Sequence, residues 1–394
     1  MDLKLVKEIV KEFNIPRDRI YELARKGIIS THQNNGHKLY DEKEIIKALQ
    51  MNELTAEKKY KINKSSKSPY NAIELFSGCG GLALGFKNAG INSELLVEID
   101  KDSSETLSSN FRNTKIVNDD IANVDFKSYK NKVDVVAGGF PCQAFSYAGK
   151  SKGFEDTRGT LFFDFARTVK EVKPKIAIGE NVKGLVSHDR GRTLHTMINT
   201  LEELGYNVQY KLLLAQYFNV PQKRERVFIV ATRKDMPNCY EYPEELNYFV
   251  PLQVVLKDCP ASEGQEYPKR KKEIMEMVPQ GGYWKDLPIE IQKEYMKGSF
   301  YLGGGKTGTA RRLSMKEPSL TLVTSPAQGQ TERCHPTKTR PLTIRESARI
   351  QTFPDSWKFA GSAASQYKQI GNAVPVNLAY HVGKSVIKYL KNTE

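Results

Sequence analysis

The sequence has 394 residues, 39% hydrophobic and 27% charged, a balance typical of a soluble globular protein of two or three domains. No apolar run approaches a membrane span and the N-terminus MDLKLVKEIVKEF is too charged for a secretory signal, so neither membrane insertion nor secretion is expected. The five cysteines lack a CxxC pair, which argues against disulfides and zinc and favours a reducing, cytoplasmic setting without a metal. The formal charge of +14 favours a polyanionic partner, because lysine and arginine release counterions from nucleic-acid phosphates.

Residues 1–50 are predicted to form a small unit of their own. Apolar residues at helical spacing predict a helix on each side of residues 14–16 (NIP), residues 34–36 (NNG) predict a hairpin turn, and Asp41 predicts the N-cap of a third helix. This order resembles a winged helix-turn-helix of the MerR or excisionase type, and a generic helical cap is the alternative. In the first case the second helix would enter a DNA groove and present Arg17, Arg19, Arg25 and Lys26.

The rest of the chain is predicted to be an α/β domain with an insertion. Residues 51–69, which include KKYKINKSSKSP, show no apolar face and predict a flexible basic linker. After them, seven apolar runs alternate with helix-length segments, which predicts a doubly wound, buried parallel sheet over residues 70–235 and 341–394. The Gly- and Pro-rich residues 236–340 predict a smaller loop-rich domain. The apolar runs are AIELF (72–76), ELLVEI (94–99), KIV (115–117), VDVVAGG (133–139), KIAIG (175–179), VQYKLLLA (208–215) and VFIVA (227–231).

The carboxyl ends of the predicted strands are where an open α/β sheet binds ligands. The first strand runs into the glycine-rich turn of ELFSGCGGLALGF (74–86), the second ends at Glu98, and the third ends near Asp120. Glycines let a backbone approach a ligand closely and an acid after the second strand suits ribose hydroxyls, so these ends predict an adenosine-containing cofactor. The turn lacks the GxGxxG spacing that pyrophosphate binding favours, so S-adenosylmethionine fits better than NAD.

The fourth and fifth strands place Cys142 and Glu180 at the same edge. A cysteine is most often a small core hydrophobe, as expected for Cys79 within the glycine turn. A thiol and a carboxyl that converge at a sheet edge instead suit nucleophilic attack with a nearby acid. Arg224 and Arg226 precede the last strand at this edge, where an arginine suits an anion or a substrate carbonyl.

From Ala72 to Leu390, these motifs resemble the DNA (cytosine-5)-methyltransferases in content and order. FSGCGG is similar to the family's cofactor turn, and PCQAFS (141–146) to its catalytic proline-cysteine loop. ENV (180–182) resembles the acid motif and QKRER (222–226) the arginine motif. RPLTIRESARIQTFPD (340–355) and QIGNAVP (369–375) resemble the closing pair, with one departure at Val376, where many members have a second proline.

The resemblance implies a Rossmann-like, S-adenosylmethionine-dependent methyltransferase domain and a chemical role for each motif. The Cys142 thiolate would add to C6 of a cytosine flipped out of duplex DNA, and Glu180 would protonate its N3. Arg226, with Arg224 close by, would support the base carbonyl. Phe76 would stack on adenine. The residues implied for the cofactor pocket are Phe76, Ser77, Gly78, Cys79, Gly81, Leu82, Glu98, Ile99, Asp120, Ile121, Pro141, Leu161, Asn372, Ala373 and Val374.

The loop-rich domain would recognise the target sequence. Residues 297–340 hold eight Lys or Arg against two acids, which favours contact with DNA. The further candidates for DNA contact are Ser146, Arg311, Arg312, Gln328, Gln330 and Arg333.

The implied partner is double-stranded DNA, with catalysis by a monomer at the nucleoid and a cognate restriction endonuclease as a genetic partner. Some methyltransferases of restriction–modification systems use an N-terminal DNA-binding domain to repress their own promoter. Residues 1–50 are therefore predicted to bind an operator, and non-specific DNA affinity is the alternative. A tRNA cytosine-5 methyltransferase is disfavoured by the long insertion and the N-terminal unit. A DNA-binding repressor with a vestigial catalytic domain is disfavoured because Cys142, Glu180 and Arg226 are all present.

Overall fold

The structure is a computed structural model that describes residues 2–13, 15, 17–34, 36–141 and 160–393. It contains two compact units. The loop unit comprises Met1–Lys61, Leu246–Thr321 and Pro326–Glu346, and the sheet unit comprises Ile62–Glu245, Leu322–Ser325 and Ser347–Glu394. Residues 1–50, predicted to be separate, thus share a unit with the insertion.

The helices and strands of the described residues have the following bounds. The helices are α1 (Val6–Phe13), α2 (Arg17–Arg25), α3 (Glu42–Lys59), α4 (Gly81–Ala89), α5 (Lys101–Asn110), α6 (Leu161–Val172), α7 (Arg192–Glu203), α8 (Leu252–Leu256), α9 (Lys269–Glu276), α10 (Ile289–Met296), α11 (Ile344–Ile350), α12 (Ala363–Asn372) and α13 (Val376–Lys391). The strands are β1 (Leu3–Leu5), β2 (His32–Asn34), β3 (His37–Asp41), β4 (Asn71–Leu75), β5 (Asn92–Val97), β6 (Lys115–Val117), β7 (Val135–Gly138), β8 (Ile176–Val182), β9 (Tyr206–Leu214), β10 (Gln222–Lys223), β11 (Glu225–Arg233) and β12 (Ser319–Leu320).

The sheet unit is built on a seven-stranded sheet in the order β6-β5-β4-β7-β8-β11-β9, and each predicted apolar run contains one of its strands. The strands from β6 to β8 are parallel, but β11 is antiparallel to both of its neighbours. The expected all-parallel sheet is therefore wrong, because the short connection from β9 to β11 allows only an antiparallel return. Phe86 of α4 and Val382 of α13 are buried in one cluster against the sheet, and Phe165 of α6 and Met197 of α7 in another, as in a doubly wound fold.

The N-terminal part of the loop unit contains the predicted helices and hairpin. Strands β2 and β3 pair antiparallel, and the Asp41 side chain accepts a hydrogen bond from the backbone N–H of Lys43 at 2.8 Å, which caps α3. A strand that was not predicted, β1, pairs with β3 through Leu5 opposite Leu39. Buried Ile20 of α2 and Ile45 of α3 belong to one core.

The predicted flexible linker at residues 51–69 is wrong. Helix α3 continues to Lys59, and its buried Ala56 lies in a cluster with Tyr248, Val250 and Val255. Beyond the helix, the backbone N–H of Asn63 donates to the Asn377 side chain at 2.9 Å. Tertiary contacts thus order a segment whose own sequence has no apolar face. Among the described residues, no helix combines the length and apolar character that a membrane crossing requires.

Candidate active site

A cavity of about 830 Å³ lies in the sheet unit at the carboxyl ends of the parallel strands. This is the edge at which open α/β sheets bind ligands. The predicted catalytic Glu180, Arg224 and Arg226 line it together with most of the predicted cofactor set. The latter are Phe76, Ser77, Gly78, Gly81, Leu82, Glu98, Ile99, Asp120, Ile121, Pro141, Leu161, Asn372, Ala373 and Val374.

The glycine-rich turn after β4 forms one wall of the cavity. Phe76 (φ +54°) and Gly78 (φ +52°) adopt left-handed backbone conformations, and Gly80 (φ +85°) is the N-cap of α4. Only glycine adopts this region freely, so Phe76 is held there against strain of the kind found at functional sites. A Cβ at Gly81 would lie 2.3 Å from the carbonyl oxygen of Val374, so glycine is required for the turn to pack against the closing motif.

Cys79 is the predicted cofactor residue that does not line the cavity. Its buried Sγ donates to the carbonyl of Gln369 at 3.4 Å, and burial raises the pKa of the thiol. A thiol in this state is a packing group, as expected for this cysteine.

The two predicted adenosine-binding acids also hold the backbone in place. Glu98 accepts hydrogen bonds from the N–H groups of Gly78 at 2.7 Å and Asp100 at 2.8 Å. Asp120 accepts one from the N–H of Ala122 at 2.9 Å. A carboxylate has about four lone-pair sites, so each acid keeps acceptor capacity for a ligand in the cavity.

Glu74 is a cavity residue that the sequence reasoning did not select. Its side chain is buried in β4, and burial, with the nearby charge of Glu98, raises its pKa well above the ordinary value. Burial likewise raises the pKa of Glu98. The signal for Glu74 was an acid inside an otherwise apolar strand, a placement that is rare without a partner or a function.

Glu180 and Arg226 form a buried ion pair on the cavity wall, with 2.8 Å between Oε1 and Nε. Glu180 pairs with Phe228 across β8 and β11, and Arg226 is two residues from Phe228, so both side chains lie on the same face of the sheet. Burial raises the pKa of Glu180, and the charges of both cavity arginines oppose this rise. A Cβ at Gly139 would lie 2.9 Å from Glu180 Oε2, so this glycine leaves room for the carboxyl.

Arg224, predicted to be catalytic, is used differently. Its fully buried guanidinium donates to the carbonyls of Gly371 at 2.9 Å and of Asn372 and Leu322 at 3.4 Å. It therefore positions the closing motif, and Arg226 is the arginine that contacts Glu180.

Asn181 is a second residue that was missed, although it lies inside the ENV motif. Its side chain donates to the carbonyl of Phe140 at 2.8 Å, which ties the end of β8 to the residue before Pro141. Cys142 follows Pro141 in the sequence, and both Cys142 and Ser146 lie outside the described residues.

The predicted DNA-contacting side chains of the insertion fall into two groups. Gln328 and Gln330 are exposed, and Arg311 is half-buried. Arg312 and Arg333 are buried and donate to backbone carbonyls, among them those of residues 278 (2.8 Å) and 321 (2.9 Å). The prediction that Arg312 and Arg333 contact DNA is therefore wrong, because their guanidinium groups hold the loops of this unit together.

The N-terminal candidates divide in the same way. Arg17 and Arg25 are exposed, whereas Lys26 pairs with Glu22 at 3.4 Å. Arg19 is buried and paired with Glu22 at 2.9 Å, so its predicted DNA contact is wrong.

Residues 70–388 match the family model of the C-5 cytosine-specific DNA methylases. The chain therefore belongs to this family, and it is a DNA (cytosine-5) methyltransferase. It is 54% identical over 382 residues to the type II methyltransferase M.Eco47II of Escherichia coli, an alignment that covers 94% of this chain and 92% of that protein. It is 57% identical over 331 residues to M.PspPI of a Psychrobacter strain, covering 82% of this chain and 80% of the relative. The solved structure of a Spodoptera frugiperda DNMT2 mutant has the same fold, with a TM-score of 0.59, 17% identity, and coverage of 81% of this chain and 99% of the other.

Proposed function

We propose that the protein transfers a methyl group from S-adenosylmethionine to C5 of a cytosine that is flipped out of duplex DNA. The observation that carries the proposal is that the buried Glu180–Arg226 pair and the acids after β5 and β6 line one cavity. A base held by the first set and a cofactor held by the second would therefore meet.

The cavity residues suit the proposed cofactor. Glu98 retains acceptor sites for ribose hydroxyls, Asp120 retains one for an adenine amine, and Phe76 and the exposed Ile99 supply apolar surface for the ring. When bound, S-adenosylmethionine supplies an electrophilic methyl group on a sulfonium sulfur.

The chain's own groups would activate the poorly nucleophilic C5. The Cys142 thiolate adds to C6, and the π electrons of the C5–C6 double bond form a C4–C5 double bond. The π electrons of the C4–N3 double bond move to N3, which takes a proton from Glu180. The burial that raises the pKa of Glu180 favours the protonated form needed for that step. Arg226 orients the carboxyl and supports the base carbonyl. After C5 accepts the methyl group, a base removes the C5 proton, the C5–C6 double bond re-forms as the thiolate leaves C6, and N3 returns its proton to Glu180.

We assign target recognition to the insertion of the loop unit, where exposed Gln328 and Gln330 are suited to base edges. The target cytosine lies inside a duplex, so it must be flipped to reach a cavity of this kind. Because the relatives are type II methyltransferases, we propose that the modification protects a specific sequence against a cognate endonuclease.

We further propose that α1, α2 and the β2–β3 hairpin bind DNA as a winged helix-turn-helix, with α2 toward the groove. Repression of the protein's own promoter by residues 1–50 alone would have needed a flexible connection to the rest of the chain. The continuous helix α3 argues against such independence. Footprinting of the full chain on its upstream DNA tests repression, and protection that appears only where the methylated sequence is present would count against repression.

The test of the main function is methylation of matched duplex DNA and tRNA, followed by mass spectrometry of the nucleosides. We expect 5-methylcytosine in the duplex alone, and Glu180→Gln should lower the rate by about 10²–10⁴-fold. Glu225→Gln is the matched control, because that acid lies on β11 and pairs with exposed Lys183. Methylation of an exocyclic amine, or of tRNA in preference to DNA, would contradict the proposal.

A further inference from the structure

The N-terminal residues and the insertion share structural elements within the loop unit. Helix α3, 18 residues long and thus about 27 Å, contributes Ile45 to the N-terminal core and Ala56 to the cluster with Val250 and Val255. Both of these α3 side chains are fully buried. One helix without glycine or proline therefore serves two cores, which leaves no hinge between them.

A buried polar joint reinforces this connection. The Asn52 side chain donates to the carbonyl of Phe249 at 3.1 Å and accepts from its N–H at 3.0 Å. The guanidinium of Arg19 lies 3.8 Å from the centre of the Phe249 ring and donates to Asn52 Oδ1 at 3.4 Å. Helices α2 and α3 are thus both fastened to residue 249.

The joint is connected in turn to the proposed base-reading loops. The N–H of Leu252 donates to the carbonyl of Glu317 and that of Gln253 to Met315, both at 3.0 Å. The N–H of Leu313 donates to the carbonyl of Cys334, also at 3.0 Å. Exposed Gln328 and Gln330 lie in the loop that leads to Cys334.

The face of α2 away from the joint is exposed and cationic. Arg17, Tyr21 and Arg25 are spaced four residues apart, so they form one stripe along the helix, and all three are exposed. Among the residues that the structure describes, no ion pair or hydrogen bond is assigned to either arginine side chain. Exposed Asp18 flanks the stripe and reduces its net charge.

We propose that residues 1–61 and the insertion bind duplex DNA as one body, in which the Arg17–Tyr21–Arg25 stripe contacts phosphates beside the methylated sequence. The proposal rests on the proposed function. Arginine and tyrosine side chains are common donors to phosphate oxygens. Because α2 is fixed to the body that carries Gln328 and Gln330, its contacts form in the same binding event as target recognition. The site bound during methylation is therefore longer than the sequence that is methylated.

The test compares KM for a short duplex, which ends close to the mapped methylation site, with KM for a duplex extended on both sides. The wild-type enzyme should have the lower KM on the extended duplex. The double variant Arg17→Gln/Arg25→Gln should lose this preference. Two lost phosphate contacts reduce the salt slope by about two, so the ratio of variant to wild-type KM on the extended duplex should fall about tenfold between about 50 and 200 mM salt.

The matched control is Lys7→Gln/Lys47→Gln, which removes two exposed charges of the same N-terminal part outside the stripe. The control should keep the preference for the extended duplex. Equal losses in both double variants would overturn the assignment of the stripe. If the wild type has the same KM on both duplexes, the proposal is overturned while the catalytic function stands. If the wild type methylates no duplex, the proposed function itself is refuted.

A second variant tests the joint. Asn52→Leu removes both hydrogen bonds to Phe249 and should lose the preference for the extended duplex although Arg17 and Arg25 remain. Phe249→Leu keeps the backbone hydrogen bonds to Asn52 but removes the ring that faces Arg19, so it should lose less of the preference for the extended duplex. This variant replaces Asn52→Leu if circular dichroism shows that Asn52→Leu does not fold. A folded joint variant with the wild-type salt slope would contradict the one-body arrangement.

Discussion

The Glu180–Arg226 ion pair makes a pH-dependent contribution to stability that can be isolated with Arg226→Met. The folded-state pKa of Glu180 is raised mainly by burial, and Arg226 opposes this rise. The stability associated with Glu180 is therefore fully present below its unfolded pKa of about 4.3 and is lost as pH rises through the folded pKa. Removing Arg226 raises the folded pKa further, so the variant loses more stability at neutral pH than the wild type does.

The magnitude follows from the geometry of the pair. The joined atoms are 2.8 Å apart and both side chains are about nine-tenths buried. Unit charges about 4 Å apart at an effective dielectric constant of about 20 interact by about 4 kcal/mol, within the range of about 3–5 kcal/mol for breaking a buried pair.

Urea unfolding of the wild type and Arg226→Met between about pH 4.5 and 8.5 measures this effect. The stability difference between them should be small at the acid end and should grow by about 1.4 kcal/mol per pH unit above the wild-type pKa until it levels off at about 4 kcal/mol. The control is the same comparison in the Glu180→Gln background, where residue 180 no longer titrates and the difference should be flat. A difference in the original background that does not change with pH would refute the electrostatic coupling of the two residues.

Three further outcomes follow from the cavity wall. Asn181→Ala removes the hydrogen bond to Phe140, which is worth about 1–1.5 kcal/mol and positions the residue before Pro141. It should lower kcat by about tenfold with little change in KM for the cofactor, and a tenfold rise in that KM would contradict this reasoning. Gly139→Ala places a Cβ 2.9 Å from Glu180 Oε2 and should lower kcat while binding of S-adenosylhomocysteine, followed by calorimetry, persists. Arg224→Lys should lower the melting temperature, because a lysine cannot reproduce the fork of donors and leaves some of the carbonyls around Arg224 unpaired. An unchanged melting temperature would show that these hydrogen bonds do not contribute to stability.

The strands were predictable from sequence, whereas their directions and the long-range contacts were not. Each apolar run between Ala72 and Ala231 contains a strand because a buried strand requires continuous apolar residues. Such a run carries no information on direction, so antiparallel β11 was missed. Residues 51–59 were predicted to be linker because their partners, such as Phe249, lie far along the chain.

The candidate site was predictable where chemistry and strand ends coincide, as at Glu98, Glu180 and Arg226. The arginines were harder to place, because sequence reveals a charge but not the carbonyls that surround it. Arg19, Arg312 and Arg333 were expected at DNA and are buried by loops that only the tertiary structure brings together. Asn181 was missed because its function is to hold the backbone of another strand.

The most direct test of the catalytic account is covalent trapping on duplex DNA that carries 5-fluorocytosine at the mapped target position, in the presence of S-adenosylmethionine. Release of the adduct requires the loss of a proton from C5, and fluorine stands in the place of that proton. The adduct at C6 should therefore persist through denaturation, and peptide mapping should place it on Cys142. Cys142→Ser should form no adduct, whereas Cys79→Ser should form it at the wild-type level, since the Cys79 thiol is buried outside the cavity. An adduct on any other cysteine, or efficient formation of 5-methylcytosine by Cys142→Ser, would contradict the account.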